Sequence, residues 1–499
     1  MSAILFGTSS AIALAALASA AVDLTPAASA WAQRIGIGRF PDEAGWREAA
    51  AERAMKWLIR TPTVRLTDQT RLLWLDMLRG EYRRAAIQHW QEAALVLGLT
   101  ELAGAGGAVA SGGAPAASTF AAASGSEVTP DRAAVSSAGE ENASFSAAAA
   151  ESAAASERVA RAETGSAFDG AKSASVHEES RANGALAIGA SRVKGESAID
   201  SEAARFRSRL RAVLGRFLSR KFGEDGGWRE KPEQIDAAML AWAVMQSGME
   251  PERYRRAFDE TAALVLRHVG GDGLVQYRQG AVGGYRYVDT IGLVCPFLAA
   301  YGLMYGREDC VDLAVRQIEA YDRHGMHPGL HLPYHAYAAE DGRPLGLCGW
   351  GRGLAWYAIG LADVWRLLPA SDRRKAELEA RVAKLARAAA RFQQPDGSFR
   401  WTVTRPETRA DSSVTAALAW FLLRAAAASG APGDLRERAR RALAYLRGVT
   451  RRGGAVDFAQ GDTRDIGVYA QRFDVLPFAQ GFALRAAAAA LAAEQGRRE

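Results

Sequence analysis

Cysteine and histidine are scarce in this sequence, and the few that occur lack the spacing of metal or disulfide sites. No C-x-x-C pair links the three cysteines, which are Cys295, Cys310 and Cys348. A disulfide framework and a cysteine-ligated zinc site are therefore not indicated. His324, His327 and His331 cluster in the sequence, but no acidic or cysteine residue stands at ligand spacing around them. We predict no metal and no other cofactor.

Dense basic runs and long uninterrupted apolar runs are also lacking. The chain has 62 basic and 56 acidic residues, a net charge of +6 that is spread along its length, so nucleic acid is not an expected partner. The stretch MSAILFGTSSAIALAALASA is apolar, but Gly7 to Ser10 interrupt it and no Lys or Arg precedes Arg34. A membrane span is therefore not expected. We predict a cytoplasmic protein, or a periplasmic one if residues 1–30 act as a signal peptide.

Composition divides the rest of the chain into three parts. Residues 31–102 place tryptophans and leucines at helical spacing, which predicts a small helical unit, interpreted as a packing module. Residues 103–200 are mostly Ala, Ser, Gly and Glu with few aromatic residues. Such a segment buries too little apolar area to offset its chain entropy. We predict that it is a disordered linker.

From Ser201 onward, amphipathic helical stretches alternate with loops in which glycine meets an aromatic residue. These loops are DGGW at Asp225, GDGLVQY at Gly271, DGSFRW at Asp396 and GGAVDF at Gly453. The closer pairs recur at roughly 50 residues, which suggests stacked helix pairs. The pattern predicts an all-α fold, an (α/α)6 toroid over residues 201–490 whose glycine-aromatic loops surround one mouth. We expect this part to fold without the first 200 residues.

Four ordered stretches of this part resemble glycoside hydrolase families 88 and 105, the unsaturated glucuronyl and rhamnogalacturonyl hydrolases. They are YRYVDTIGLVCPFLAAYG, HAYAAEDG with the following WGRGLAWYAIGLADV, DGSFRWTVTRPETRADSSVTAALAW and GVYAQRFDVLPFAQGFAL. The resemblance covers about Ser201 to Leu484. It implies an enzyme that hydrates the C4=C5 bond of a terminal unsaturated uronic acid, with an oligosaccharide or polysaccharide fragment as its partner. Oligomeric state is left open.

The resemblance also implies site residues. Asp289 matches an active-site carboxylate, and the alternative is that it caps the N-terminus of a helix. Arg352 and Trp356 match residues that grip a uronate carboxylate and stack on a sugar face. Further candidates for substrate binding are His335, Tyr337, Trp350, Asp411 and Ser412, the last two of which also fit a capping sequence.

One departure from the family pattern leaves the function open. The position of the expected general acid is Ala338, so Asp341 or Glu340 is the candidate to replace it beside Asp289. Asp341-Gly342 is also an ordinary turn pair. The alternative is a non-catalytic or altered member that binds glycan in capsule or exopolysaccharide biosynthesis. A third, a sugar epimerase, would need a pair of histidines from the His324–His335 region facing one pocket.

Overall fold

The computed structural model describes residues 2–60, 62, 88–105, 185–279 and 284–496. Most of the predicted linker, residues 106–184, lies outside them. Residues 1–123 and 198–499 belong to one compact unit, and residues 124–197 belong to a second.

Helices account for most of the described chain. In chain order they are α1 (Ser2–Arg34), α2 (Glu43–Ile59), α3 (His89–Ala105), α4 (Ala185–Lys221), α5 (Ala237–Met245), α6 (Arg255–Arg267), α7 (Asp289–Tyr305), α8 (Glu308–His324), α9 (Gly351–Leu367), α10 (Lys375–Ala390), α11 (Ser412–Ala425), α12 (Leu435–Gly448) and α13 (Pro477–Gln495), with a 3₁₀ turn at Pro251–Tyr254. None of the described helices combines the length and apolar character that crossing a membrane requires.

Six helices form a closed inner ring. Helices α3, α5, α7, α9, α11 and α13 each pack on the next, and α13 packs back on α3. The intervening helices α2, α4, α6, α8, α10 and α12 lie outside the ring. Each outer helix leads to the inner helix that follows it, so the chain builds six hairpins. The predicted all-α, (α/α)6 toroid is confirmed.

The first hairpin of the toroid, α2 and α3, comes from the segment that the sequence assigned to a separate helical unit. Helix α3 is buried nearly all round, with Ala93 to Leu97 and Leu99 at most 1% exposed. A helix that is apolar on every side belongs in a core. The range 201–490 thus lacks α2 and α3, and it contains five of the six inner helices.

The loops after α4, α6, α8, α10 and α12, which lead to inner helices, lie at one mouth of the toroid and are each closed by a β-bridge. Residues Phe222 and Trp228 form a single β-bridge across one such loop, and Thr450 and Val456 do so across another. Gly454 in the latter has φ +83°, and a Cβ there would lie 2.0 Å from the backbone oxygen of Ala49 in α2. Only glycine suits both the left-handed backbone and this close approach.

Two small antiparallel sheets interrupt these loops. Strand β1 (Tyr285–Tyr287) pairs with β2 (Ala336–Ala338), and β2 pairs with β3 (Pro344–Leu345). Strand β4 (Ala459–Gln460) pairs with β5 (Phe473–Asp474). Both sheets lie just before inner helices, where they place side chains at the mouth.

Candidate active site

A cleft of about 480 Å³ opens at the mouth of the toroid, where the inner helices begin. Its walls come from the starts of α3, α7 and α9 and from the loops that precede α5, α7 and α13. The lining residues are Gln88, Trp90, Glu233, Gln234, His268, Tyr277, Arg278, Gln279, Tyr287, Asp289, Leu293, His335, Arg352, Trp356, Asp462, Thr463, Arg464 and Asp465. Four sequence-predicted site residues are brought together here, namely Asp289, His335, Arg352 and Trp356.

Asp289 is the first residue of α7, and the sheet of β1 and β2 places His335 beside it. Strand β1 ends two residues before Asp289, and Tyr287 of β1 pairs with Ala336 of β2. His335 Nε2 lies 3.7 Å from Asp289 Oδ2, and His335 Nδ1 lies 3.2 Å from the Tyr469 hydroxyl. Burial lowers the pKa of His335 to about 3, so this imidazole is neutral and the contact is not an ion pair.

The pKa of the Asp289 carboxyl group is raised toward neutrality. Burial is the main cause that raises its pKa to about 7, and the negative charge of Asp462 raises it further. The charges of Arg352 and Arg278 oppose this shift without reversing it. Oδ2 of Asp289 is buried and has no hydrogen-bond partner within the described part of the chain. A carboxyl group that is part protonated at neutral pH and has a free oxygen can move a proton.

Arg352 brings a buried positive charge to the same cleft. Its side chain is 1% exposed, and Nη2 donates a hydrogen bond to the backbone oxygen of Gln460. Nε and Nη1 have no hydrogen-bond partner among the described residues, and the nearest carboxylate oxygen, Asp462 Oδ1, lies 4.0 Å from Nη1. Buried donors are normally paired. These two N–H groups are therefore suited to bind an anionic ligand.

Aromatic rings form part of the cleft wall. Trp356 lies one turn after Arg352 on α9, with its ring centroid 5.5 Å from that of Trp90 and 4.9 Å from that of Phe478. Tyr277 and Tyr287 pack against each other at 5.3 Å. Indole and phenol faces are the usual apolar surfaces on which sugar rings pack.

Trp350, Asp411 and Ser412, predicted to bind substrate, lie behind the lining instead. Asp411 caps α11 by accepting from Ser413 N at 2.8 Å, and the same oxygen accepts from Gln460 N at 3.0 Å. Trp350 Nε1 donates to Gln460 Oε1 at 3.1 Å. The backbone oxygen of Gln460 accepts the hydrogen bond from Arg352. Asp411 and Trp350 therefore hold strand β4, which orients the guanidinium. Ser412 is fully buried at the start of α11.

The carboxylates proposed to replace the missing acid do not reach the cleft. Glu340 and Asp341 are exposed in the turn between β2 and β3, and Asp341 accepts a hydrogen bond from Arg343 N at 3.0 Å within that turn. The alternative turn interpretation accounts for Asp341 fully. Tyr337 is likewise absent from the lining, because its ring is buried against Tyr321 with centroids 5.4 Å apart.

Sequence reasoning missed Asp462 and Trp90, and it gave no role to the other cleft residues Gln88, Tyr277, Arg278 and Asp465. Trp90 belongs to α3, whose apolar spacing indicated a packing helix. Asp462 lies in the loop between β4 and β5, where no motif marks it. Of the clustered histidines, His335 lines the cleft and His324, His327 and His331 do not. The second histidine at the cleft is His268, which lies at the end of α6 and bonds Leu264 O through Nδ1 at 2.9 Å.

Comparison with known proteins agrees with this architecture. Residues 225–489 match the sequence model of Glycosyl Hydrolase Family 88. A structure of a possible member of family GH105 from Klebsiella pneumoniae aligns with a TM-score of 0.51 and 18% identity over 57% of this chain and 77% of that one. A family 105 glycoside hydrolase from C. acetobutylicum aligns with a TM-score of 0.50 and 17% identity over 58% and 89%.

Comparison with curated protein sequences gives no match. At these identities the two structures support the fold alone, whereas the family model covers more than half of the chain and includes Asp289, His335, Arg352 and Trp356. The chain therefore belongs to glycosyl hydrolase family 88 and is a glycoside hydrolase.

Proposed function

We propose that this enzyme hydrates the C4=C5 bond of a terminal unsaturated uronyl residue on an oligosaccharide, and that Asp289 is its general acid and base. The observation that carries the proposal is that one cleft holds both a carboxyl group with a pKa of about 7 and a buried guanidinium, two donors of which have no partner in the described part of the chain. The first can deliver a proton near neutral pH, and the second can bind the uronate carboxylate through charge-assisted hydrogen bonds.

The reaction needs one carboxyl group that acts twice. Asp289 donates its proton to C4, and the positive charge that develops at C5 is shared with the ring oxygen. Water then adds to C5 and returns a proton to the Asp289 carboxylate. The resulting hemiketal opens to a ketone at C5, which leaves the ring oxygen on C1 as the hydroxyl of a hemiacetal. This hemiacetal collapses to an aldehyde at C1 and releases the aglycone as an alcohol. Ordinary glycosidases instead use two carboxyl groups beside the glycosidic bond.

The alanine at position 338 does not weaken this proposal. Ala338 is buried in β2 and pairs with Tyr285 of β1, whereas Asp289 already lies in the cleft. With the proton assigned to Asp289, no substitute acid is required from Glu340 or Asp341. A non-catalytic glycan-binding role is not favoured, because the chain is a glycoside hydrolase.

The direct test follows the conjugated double bond by its ultraviolet absorbance. Unsaturated uronyl oligosaccharides made by a polysaccharide lyase should lose this absorbance when the protein is added, and an aglycone with a new reducing end should appear. Unchanged absorbance across substrates of different uronate and linkage would contradict the proposed reaction.

The variant Asp289→Asn tests whether Asp289 supplies the proton that is added to C4. The amide keeps the shape of the side chain but cannot donate the proton, so we expect kcat to fall by about 10²–10⁴ while oligosaccharide binding persists. Asp341→Asn is the matched control, because Asp341 is exposed and occupied by its own turn. It should retain wild-type kcat. If Asp341→Asn lost activity and Asp289→Asn kept it, the roles would be reversed.

A further inference from the structure

Asp462 lies beside Arg352, whose guanidinium binds the substrate carboxylate in the proposed function. It follows β4 by two residues and lines the cleft together with Asp289 and Arg352. Its Oδ1 is 4.0 Å from Arg352 Nη1 and accepts a hydrogen bond from Thr463 N at 2.9 Å. At 4.0 Å the carboxylate is close enough to attract the guanidinium, but it makes no hydrogen bond to it.

Charged groups of both signs line the cleft with Asp462, namely Glu233, Arg278, Asp289, Arg352, Arg464 and Asp465. Arg352 on α9 and Arg278 on the loop before β1 attract it, while Asp289 at the start of α7 repels it. Arg278 is also engaged by Asp465, at 3.8 Å from Oδ2, and by the backbone oxygen of Arg464. The neighbouring titratable groups Tyr277 and His335 are both uncharged at neutral pH, because burial raises the pKa of the phenol and lowers that of the imidazole.

A uronate that binds Arg352 would bring a further carboxylate close to Asp462 and Asp289. Like charges held close together in a buried site cannot all stay ionised, and one of them takes up a proton. Of the carboxylates that line the described cleft, Asp462 is the one within 4.0 Å of the Arg352 guanidinium, so its charge opposes the bound uronate most directly.

We propose that Asp462 is a charge-selecting residue. Its carboxylate balances the positive charge of Arg352 in the free enzyme, and it takes up a proton when the carboxylate of an anionic sugar binds to Arg352. The inference rests on the proposed function for the identity of the ligand. It predicts that uronate binding weakens as pH rises and that a neutral sugar in the same cleft shows no such dependence.

Two features support this role. Burial raises the pKa of Asp462 above its usual value, despite the opposing charge of Arg352. In addition, Asp462 has a counterpart in the same loop, Asp465, whose carboxylate accepts a hydrogen bond from the Tyr287 hydroxyl at 3.0 Å. Asp465 is thus engaged by a neighbour in a way that Asp462 is not, which makes it a matched control.

The test is calorimetric binding of a saturated uronyl disaccharide, which carries the carboxylate but has no C4=C5 bond to react. Titrations at pH 6, 7 and 8, each in two buffers with different ionisation enthalpies, give the number of protons taken up.

Wild type should take up protons and lose about tenfold in affinity per unit of pH where Asp462 titrates. Asp462→Asn should bind at least tenfold more tightly at pH 8 and take up fewer protons. Asp465→Asn should keep the wild-type uptake, and the methyl ester of the disaccharide should give none.

Three results would overturn the inference. Asp462→Asn could bind no more tightly than wild type, its proton uptake could equal that of wild type, or the uptake could vanish in Asp289→Asn and persist in Asp462→Asn. Failure of the proposed function appears separately, as an unsaturated disaccharide that keeps its ultraviolet absorbance in the presence of the wild-type enzyme.

Discussion

Position in the fold distinguishes the three carboxylates that were predicted from the sequence to be catalytic, which are Asp289, Glu340 and Asp341. Asp289 is 18% exposed and lies at the start of a ring helix, where its neighbours are His335 and the cleft. The Asp341 side chain is 53% exposed and lies in a turn outside the cleft lining, 3.6 Å from Arg343 Nε. Of the three, Asp289 is the one that lines the cleft, and burial raises its pKa toward neutrality.

This placement predicts the pH dependence of the enzyme. The acid must be protonated to start the reaction, and burial places the Asp289 pKa at about 7. Below that pH the active form is present, so kcat/KM should fall as pH rises through about 7. Because the charge of Asp462 also raises this pKa, the falling limb should move to lower pH in Asp462→Asn. A rate that rises through pH 7, or a limb that Asp462→Asn leaves in place, would argue against Asp289 as the acid.

Part of the site could be predicted from the sequence because some of its residues lie close together on one helix. Arg352 and Trp356 occupy the first turns of one helix, so their spacing alone places them on the same face. Asp462 has no such context, since only the pairing of β4 with β5 brings its loop over the cleft. Trp90 reaches the same cleft from α3, which residues 106–184 separate from the next helix of the toroid.

At the scale of elements, close helix contacts decide whether the ring closes. Helices α3 and α13 meet at two glycines, Gly98 and Gly481. A Cβ on Gly98 would lie 2.3 Å from the backbone oxygen of Gly481, and one on Gly481 would lie 2.1 Å from that of Ala94. The two backbones therefore touch without intervening side chains.

Gly98→Ala should destabilise the protein because the new methyl group would have to push α3 and α13 apart. Overpacking of this kind costs typically about 1–3 kcal/mol of unfolding free energy. Gly104 lies on the same helix and has no atom within 4 Å of an added Cβ, so Gly104→Ala should be neutral or stabilising by up to about 1 kcal/mol. Denaturant unfolding measures both. Equal effects of the two substitutions would mean that the helix contact is not tight.

Helix periodicity predicted the class of fold correctly, but it did not show which helices form the inner ring. Outer helices such as α6 and α8 have one apolar face, which a 3.6-residue period detects. Helix α3 is apolar on nearly all sides, and a sequence with no polar face does not show which helices surround it. The segment 106–184 then separates α3 from the next hairpin, which made α2 and α3 resemble a separate unit.

At the scale of the whole molecule, a buried charge cluster ties α3 to the opposite side of the ring. Arg485 of α13 lies 2.6 Å from Glu101 of α3 and 3.0 Å from Asp363 of α9, and Arg424 of α11 lies 3.0 Å from Glu101. Burial alone would raise the pKa of Glu101, but the charges of Arg485 and Arg424 outweigh it and lower the value to about 2. Removing α3 would leave Arg485, which is fully buried, without one of its two carboxylates.

Deletion of residues 1–200 should therefore abolish folding, contrary to the expectation from sequence that the chain from residue 201 folds alone. Burial of Leu95, Val96, Leu97 and Leu99 contributes about 1.5–3 kcal/mol each. Their sum is comparable with the whole net stability of a domain, about 5–15 kcal/mol. The matched control keeps residues 1–105 and replaces only 106–184 by a flexible glycine-serine linker. We expect a cooperative thermal transition by circular dichroism for the control and for the full chain, and none for the truncated chain. A truncated chain that unfolded cooperatively at the temperature of the full chain would show that α2 and α3 are dispensable, and a control that failed to fold would place an essential contact within residues 106–184.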